Sequence, residues 1–232
     1  MTADTSSKLH LESQLAARKV LMPGKSAELA HADAVNGDAR FGGGWRRPSY
    51  LMAYAHAAGI LVTHGQTTGT LDAIALPAFY MQRHALELLV KRSLGFVHDY
   101  AEATGRADIF SKDQSKRLRN SHDLTCLLSD LTRACQQLEL ALPPEELSDL
   151  IATMMKFEPT ETWARYPNSR PKAGLQNHAQ DETVLPIVAL QKKLEDVLKH
   201  VVFSLEEHEA YESLLYEAWA DATRAHGPDF IG

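Results

Sequence analysis

Tyr80-Met81-Gln82-Arg83-His84-Ala85-Leu86-Glu87-Leu88-Leu89-Val90-Lys91 is the stretch whose spacing sets the fold. Tyr80, His84, Glu87 and Lys91 recur at i, i+4, i+7 and i+11, so at ~100° per residue they fall on a stripe roughly 60° wide along one helix. Met81, Ala85, Leu86, Leu88, Leu89 and Val90 make most of the remaining surface apolar. A helix that is greasy on most sides and carries one line of ionisable groups belongs inside a bundle, with that line facing something polar. Ser121-His122-Asp123-Leu124 offers a partner, His122.

The rest of the chain is helical by the same reading. Pro48 and Ser49 open a compact apolar segment, Tyr50 to Val62, that suits a first core helix, and Gly65 to Gly69 reads as a loop. The central helix runs from Asp72 to Tyr100, with Pro77 in its first turn or kinking it. Ser111 to Ser121 is a polar connector, of which Lys112 to Asn120 also suits a helix. Leu124, Leu127, Leu128, Leu131, Cys135 and Leu138 are spaced by threes and fours as on an amphipathic helix, and Pro143-Pro144 separates it from a further one, Glu145 to Phe157. Pro159 to Thr183 loses all periodicity and reads as a long surface loop, and Val184 to Ala225 as two helices meeting near Ser204. No run alternates with period two for long enough to build a sheet. The fold class expected is all-α, an antiparallel helical bundle spanning residues 46–232.

Residues 1–45 read as an N-terminal extension, partly ordered at best, or as an arm that packs on a partner, because Pro23-Gly24, Asn36-Gly37 and Gly42-Gly43-Gly44 break every candidate helix after Leu11 to Val20. The chain has 232 residues with 44% hydrophobic and 23% charged, which suits one sizeable core. A formal net charge of -6 excludes nucleic-acid binding through overall positive potential, so any RNA site has to be a local basic patch. No run approaches the ~20 apolar residues of a membrane span, and Met1 to Arg18 lacks a secretory apolar core. Cys126 and Cys135 lie on opposite faces of one helix, where a disulfide cannot close, and are expected as buried thiols. A cytoplasmic, non-membrane protein is expected.

Each polar motif has two readings. Glu87 and Lys91 are an ordinary intrahelical pair or part of a buried network. Lys112, Lys116, Arg117 and Arg119 are a phosphate-binding patch or a solvated run, beside a helix capped by Ser121 or Asp123. Arg117 and His122, five apart, lie roughly 140° from each other on a continuous helix and converge only if the arginine reaches round or the helix starts between them. Trp163-Ala164-Arg165-Tyr166-Pro167 stacks bases beside positive charge, or its aromatics pin the loop to the core. His98-Asp99 and His122-Asp123 look like the paired ligands of HD-type metal phosphohydrolases, but no further His and Asp set accompanies them, so neither metal nor cofactor is expected.

Gln82-Arg83-His84-Ala85-Leu86-Glu87-Leu88-Leu89-Val90-Lys91, followed by Ser121-His122-Asp123-Leu124-Thr125-Cys126-Leu127-Leu128, resembles the HEPN superfamily of helical prokaryotic proteins, over roughly residues 75–135. The resemblance implies a bundle that dimerises and a metal-independent endoribonuclease of a toxin or phage-defence system. In such enzymes an Arg-x4-6-His motif from each subunit forms a joint cleft. Arg117-Leu118-Arg119-Asn120-Ser121-His122 fits that spacing. The resemblance assigns catalysis to Arg117 and His122; the substrate-binding residues expected, from the helical stripe and the basic segments, are Tyr80, His84, Glu87, Lys91, Arg119 and Arg165. Leu118 departs from the polar residue usual after the motif arginine, and members with the His-Asp-Leu version resemble accessory modules paired with nucleotidyltransferases. The alternative implied is a non-catalytic nucleotide- or partner-binding module; the partners expected are a second copy, RNA, and an antitoxin or nucleotidyltransferase.

Overall fold

In the computed structural model the chain divides into two compact units, Met1–Ser49 and Tyr50–Gly232. The structure describes residues 28, 31, 35, 37, 49–111, 120–158, 168–169, 176–177, 182–202 and 210–226. In the first unit Glu28, His31 and Val35 are helical, between the breakers Pro23-Gly24 and Asn36-Gly37, where no helix was expected. Gly37 turns the chain with a φ of 78°.

The second unit is a helical bundle. Its described elements are α1 (Tyr50–Thr68), α2 (Leu71–Ala103), a 3-10 turn (Ala107–Ile109), α3 (Leu124–Leu138), α4 (Glu145–Met155), α5 (Ile187–Val201) and α6 (Tyr211–His226). A two-residue antiparallel ladder, β1 (Asn168–Ser169) with β2 (Gln176–Asn177), pairs Asn168 with Asn177. It is too short for period-two alternation to register in the sequence. Residues 159–167, 170–175 and 203–209, including Ser204, lie outside the described residues.

The α2 helix is the axis of the bundle, in contact with α1, α3, α5 and α6. Ala78, Phe79, Ala85, Leu86, Leu89, Val90, Leu94, Val97 and Ala101 are buried along it. With so many sides covered, its polar residues have to be satisfied inside the protein. Pro77 lies within the helix, where its ring removes one backbone N–H from the ladder.

The segment expected as a loop from Gly65 to Gly69 is helical to Thr68. Gly65 is there to pack: a Cβ on it would meet Ile74 Cδ1 at 2.7 Å and Leu71 Cδ2 at 2.9 Å, so α1 and α2 close on its bare backbone. Gly69 makes the turn, at φ 69°, and Thr70 N–H donates to Gly65 O at 3.0 Å, the Schellman closure that sends α2 back along α1. Tyr54 accordingly meets His84 while Gly65 meets Ile74, an antiparallel pairing.

Asp123 caps α3, its Oδ1 accepting from Thr125 N–H at 2.9 Å and Cys126 N–H at 3.0 Å, while Ser121 Oγ accepts from Asp123 N–H. The cap leaves Ser121 to Asp123 as a non-helical link before Leu124. The α3 helix ends at Leu138, well before Pro143-Pro144, because Glu139 turns left-handed at φ 57° and Leu140 N–H closes on Cys135 O. Cys135 is buried, with its Sγ 3.3 Å from Tyr211 Oη, and desolvation pushes both groups up in pKa. Cys126, in contrast to expectation, is exposed: it lies two residues past Leu124, off the buried stripe of α3. Arg92 Nε reaches Glu212 Oε1 at 2.8 Å and ties α6 to α2. Among the described residues no helix is long and apolar enough to cross a membrane.

Candidate functional site

Glu87 sits in the middle of α2 with its side chain 3% exposed, and four basic groups converge on it. Oε1 accepts from Lys91 Nζ at 2.9 Å and lies 2.9 Å from His122 Nδ1. Oε2 accepts from Arg83 Nη1 at 2.8 Å, and His84 Nδ1 stands 3.9 Å from the same oxygen. Burial opposes charge on this carboxyl, but hydrogen bonds from His84, Lys91 and His122, with the positive charge of Lys91, outweigh it and hold the group far below the ordinary carboxylate range.

Arg83 is the hub. Its Nε donates to Glu158 Oε1 at 2.8 Å and Oε2 at 2.9 Å, and its Nη2 donates to the backbone carbonyl of His122. One guanidinium therefore joins α2 to the residue three beyond the end of α4 and to the link that carries His122. Arg83 and Lys91 supply two positive charges and Glu87 and Glu158 two negative, and Asp123, close enough to Arg83 to interact with its charge, adds a third negative charge next to His122.

Nδ1 of His122 faces an ionised carboxylate and is therefore the donor, so that in the neutral ring the lone pair falls on Nε2. The His122 side chain is 47% exposed, so a polar ligand can reach the ring while its far nitrogen stays anchored. His84 is fixed by two rings: Tyr80 lies parallel, at 5.8 Å and 7°, and Tyr54 of α1 meets it edge-on at 4.4 Å. The arrangement can orient an imidazole for proton transfer at the protein surface, from a rigid charged base.

The structure thus gathers Tyr80, His84, Glu87, Lys91 and His122 in one cluster. Arg117, Arg119 and Arg165, with Trp163 and Tyr166, lie outside the described residues. Reading the spacing missed Arg83, Glu158 and Tyr54. Arg83 had a local signal, because Arg83, Glu87 and Lys91 follow one another at i, i+4 and i+8; Glu158 and Tyr54 arrive from other elements and had none. His98 forms a group with Asp99 and Glu102, their ligand atoms within 4.8 Å of one another on one stretch of α2, which His122 and Asp123 do not join. A groove of about 610 Å³ between α1 and α5, lined by Met52, His56, Ile60, His64, Gln191 and Glu195, does not include the ionisable cluster.

Comparison with protein-family models, curated proteins and solved structures finds no match to this chain.

Proposed function

We propose that this chain is a HEPN-like, metal-independent endoribonuclease that acts in the cytoplasm as a toxin or phage-defence effector and cleaves RNA in the cleft of a homodimer. The observation that carries this reading is the contact of His122 Nδ1 with the buried carboxylate of Glu87, on a ring that remains open to ligands. His122 Nε2 takes the proton of an RNA 2′-hydroxyl as that oxygen attacks the neighbouring phosphate, and the 5′-oxygen leaves to give a 2′,3′-cyclic phosphate. Glu87 holds the ring and offsets the positive charge that develops on it. Arg117, five residues before His122 as in the Arg-x4-6-His motif, stabilises charge on the phosphate, and Arg119 and Arg165 bind the RNA backbone. An antitoxin or nucleotidyltransferase partner holds the activity in check.

A second reading, a non-catalytic HEPN-like module that binds a nucleotide or a partner protein, draws support from Arg83. Its guanidinium bonds Glu158, Glu87 and the His122 carbonyl, a network that fixes helix register without any ligand. The two readings separate on one variant. In excess chelator the wild-type protein is expected to cut single-stranded RNA to cyclic-phosphate ends, and His122→Ala to lose at least about 100-fold in rate. An unchanged rate in His122→Ala, or no cleavage by wild type, favours the binding module.

A further inference from the structure

Cleaving a phosphodiester by 2′-hydroxyl attack requires a proton acceptor for the nucleophile and a proton donor for the leaving oxygen. His122 supplies the first under the proposed function, and the role of His84 rests on that assignment. We infer that His84 supplies the second, so that one chain carries both proton-transfer groups on a single carboxylate. The two imidazoles approach opposite oxygens of Glu87: His122 Nδ1 lies 2.9 Å from Oε1, and His84 Nδ1 lies 3.9 Å from Oε2. Both rings address the carboxylate through Nδ1, and among the described residues neither Nε2 has a hydrogen-bond partner. The His84 side chain is 22% exposed, enough for an edge to be reached, and Tyr80 and Tyr54 set the plane of the ring.

Acid–base cleavage requires one neutral imidazole and one imidazolium. His122, the more exposed ring, reaches furthest toward a ligand and takes the part of the base. His84, whose plane is set by Tyr80 and Tyr54 and whose Nδ1 lies by the other carboxylate oxygen, takes the part of the acid. In the step itself His122 Nε2 removes the 2′-hydroxyl proton, the O2′–P bond forms, the P–O5′ bond breaks, and the His84 Nε2 proton passes to the departing 5′-oxygen. The products are a 2′,3′-cyclic phosphate and a 5′-hydroxyl, and the two histidines have exchanged protonation states. Among the described residues the groups that face His84 are Glu87 and Tyr80 on its own helix and Tyr54 on α1; Arg83, Lys91 and His122 meet it through Glu87, and Asp123 lies next to His122 and interacts with Arg83.

The test uses two RNA oligonucleotides, one ordinary and one in which sulfur replaces the bridging 5′-oxygen at a single linkage, because a thiolate leaves without being protonated. On ordinary RNA His84→Ala is expected to fall by about 100-fold or more. On the sulfur substrate it should return to within about 10-fold of wild type, while His122→Ala stays slow on both. Wild type should lose rate at alkaline pH on ordinary RNA and not on the sulfur substrate. This second comparison needs no variant, and His84→Asn repeats the first if His84→Ala does not fold. Equal loss by His84→Ala and His84→Asn on the two substrates, or no loss on either, overturns the role of His84 and leaves that of His122 standing. Failure of wild type to cut either substrate overturns both.

Discussion

Nδ1 of His122 and Oε1 of Glu87 are 2.9 Å apart although 35 positions separate the two residues in the chain. The contact joins the middle of α2 to the link that precedes α3, and the same carboxylate also holds Lys91 and Arg83. A buried carboxylate shared by so many donors is as much a structural element as a chemical one, and its removal has a thermodynamic signature.

Glu87→Gln leaves Arg83 and Lys91 without their shared counter-charge, and breaking such a buried set costs about 3 kcal/mol at neutral pH. The sign of the pH dependence comes from the depressed acidity of Glu87 in the folded protein. Its stabilisation is complete above the unfolded carboxyl value of about 4.3 and is lost as pH falls towards the folded value. Urea unfolding is therefore expected to show a wild-type advantage over Glu87→Gln at neutral pH that shrinks steadily below about pH 4. A difference independent of pH would contradict an ionised Glu87.

The cap on α3 decides where His122 sits. Asp123→Ala removes the acceptor of the Thr125 and Cys126 N–H groups and should cost about 1 kcal/mol in urea unfolding, with Asp123→Asn retaining most of the stability. Equal stability of wild type and Asp123→Ala would mean that other groups fix the start of the helix.

Two helical glycines should respond in opposite ways. Among the described residues nothing lies within 4 Å of a Cβ added at Gly95, so Gly95→Ala is expected to gain about 0.5 to 1 kcal/mol from helix propensity. At Gly65 the new methyl must displace Ile74 and Leu71, and Gly65→Ala is expected to lose about 1 kcal/mol on balance. Thermal unfolding of the two variants checks the contrast, and a gain at both positions would show that the α1–α2 contact is slack.

The stripe of Tyr80, His84, Glu87 and Lys91 was legible because a line of ionisable groups within so apolar a helix has no stable place in water or in a dry core. The partner His122 was legible because a basic or capping segment and a new amphipathic helix surround it. Arg83 was hidden at the edge of the stripe, and its main partner, Glu158, lies beyond a different helix and comes into contact only through packing of the bundle. Gly65 misled for a different reason: glycine marks turns in sequence, yet its other use is to let two helices approach, and local spacing does not separate the two. Cys126 was expected to be buried from the general habit of thiols, whereas its register on α3 places it outside. Arg117, Arg119 and Arg165 lie outside the described residues, so their part in the site rests on the motif spacing and on charge.

The proposed chemistry turns on His122 drawing a proton from a ribose 2′-hydroxyl. The most direct measurement is single-turnover cleavage, in excess chelator, of an end-labelled RNA and of its fully 2′-O-methylated counterpart by the wild-type protein. The RNA is expected to be cut to 2′,3′-cyclic-phosphate ends while the methylated strand stays intact; an uncut RNA, or equal cutting of both strands, would contradict that role for His122.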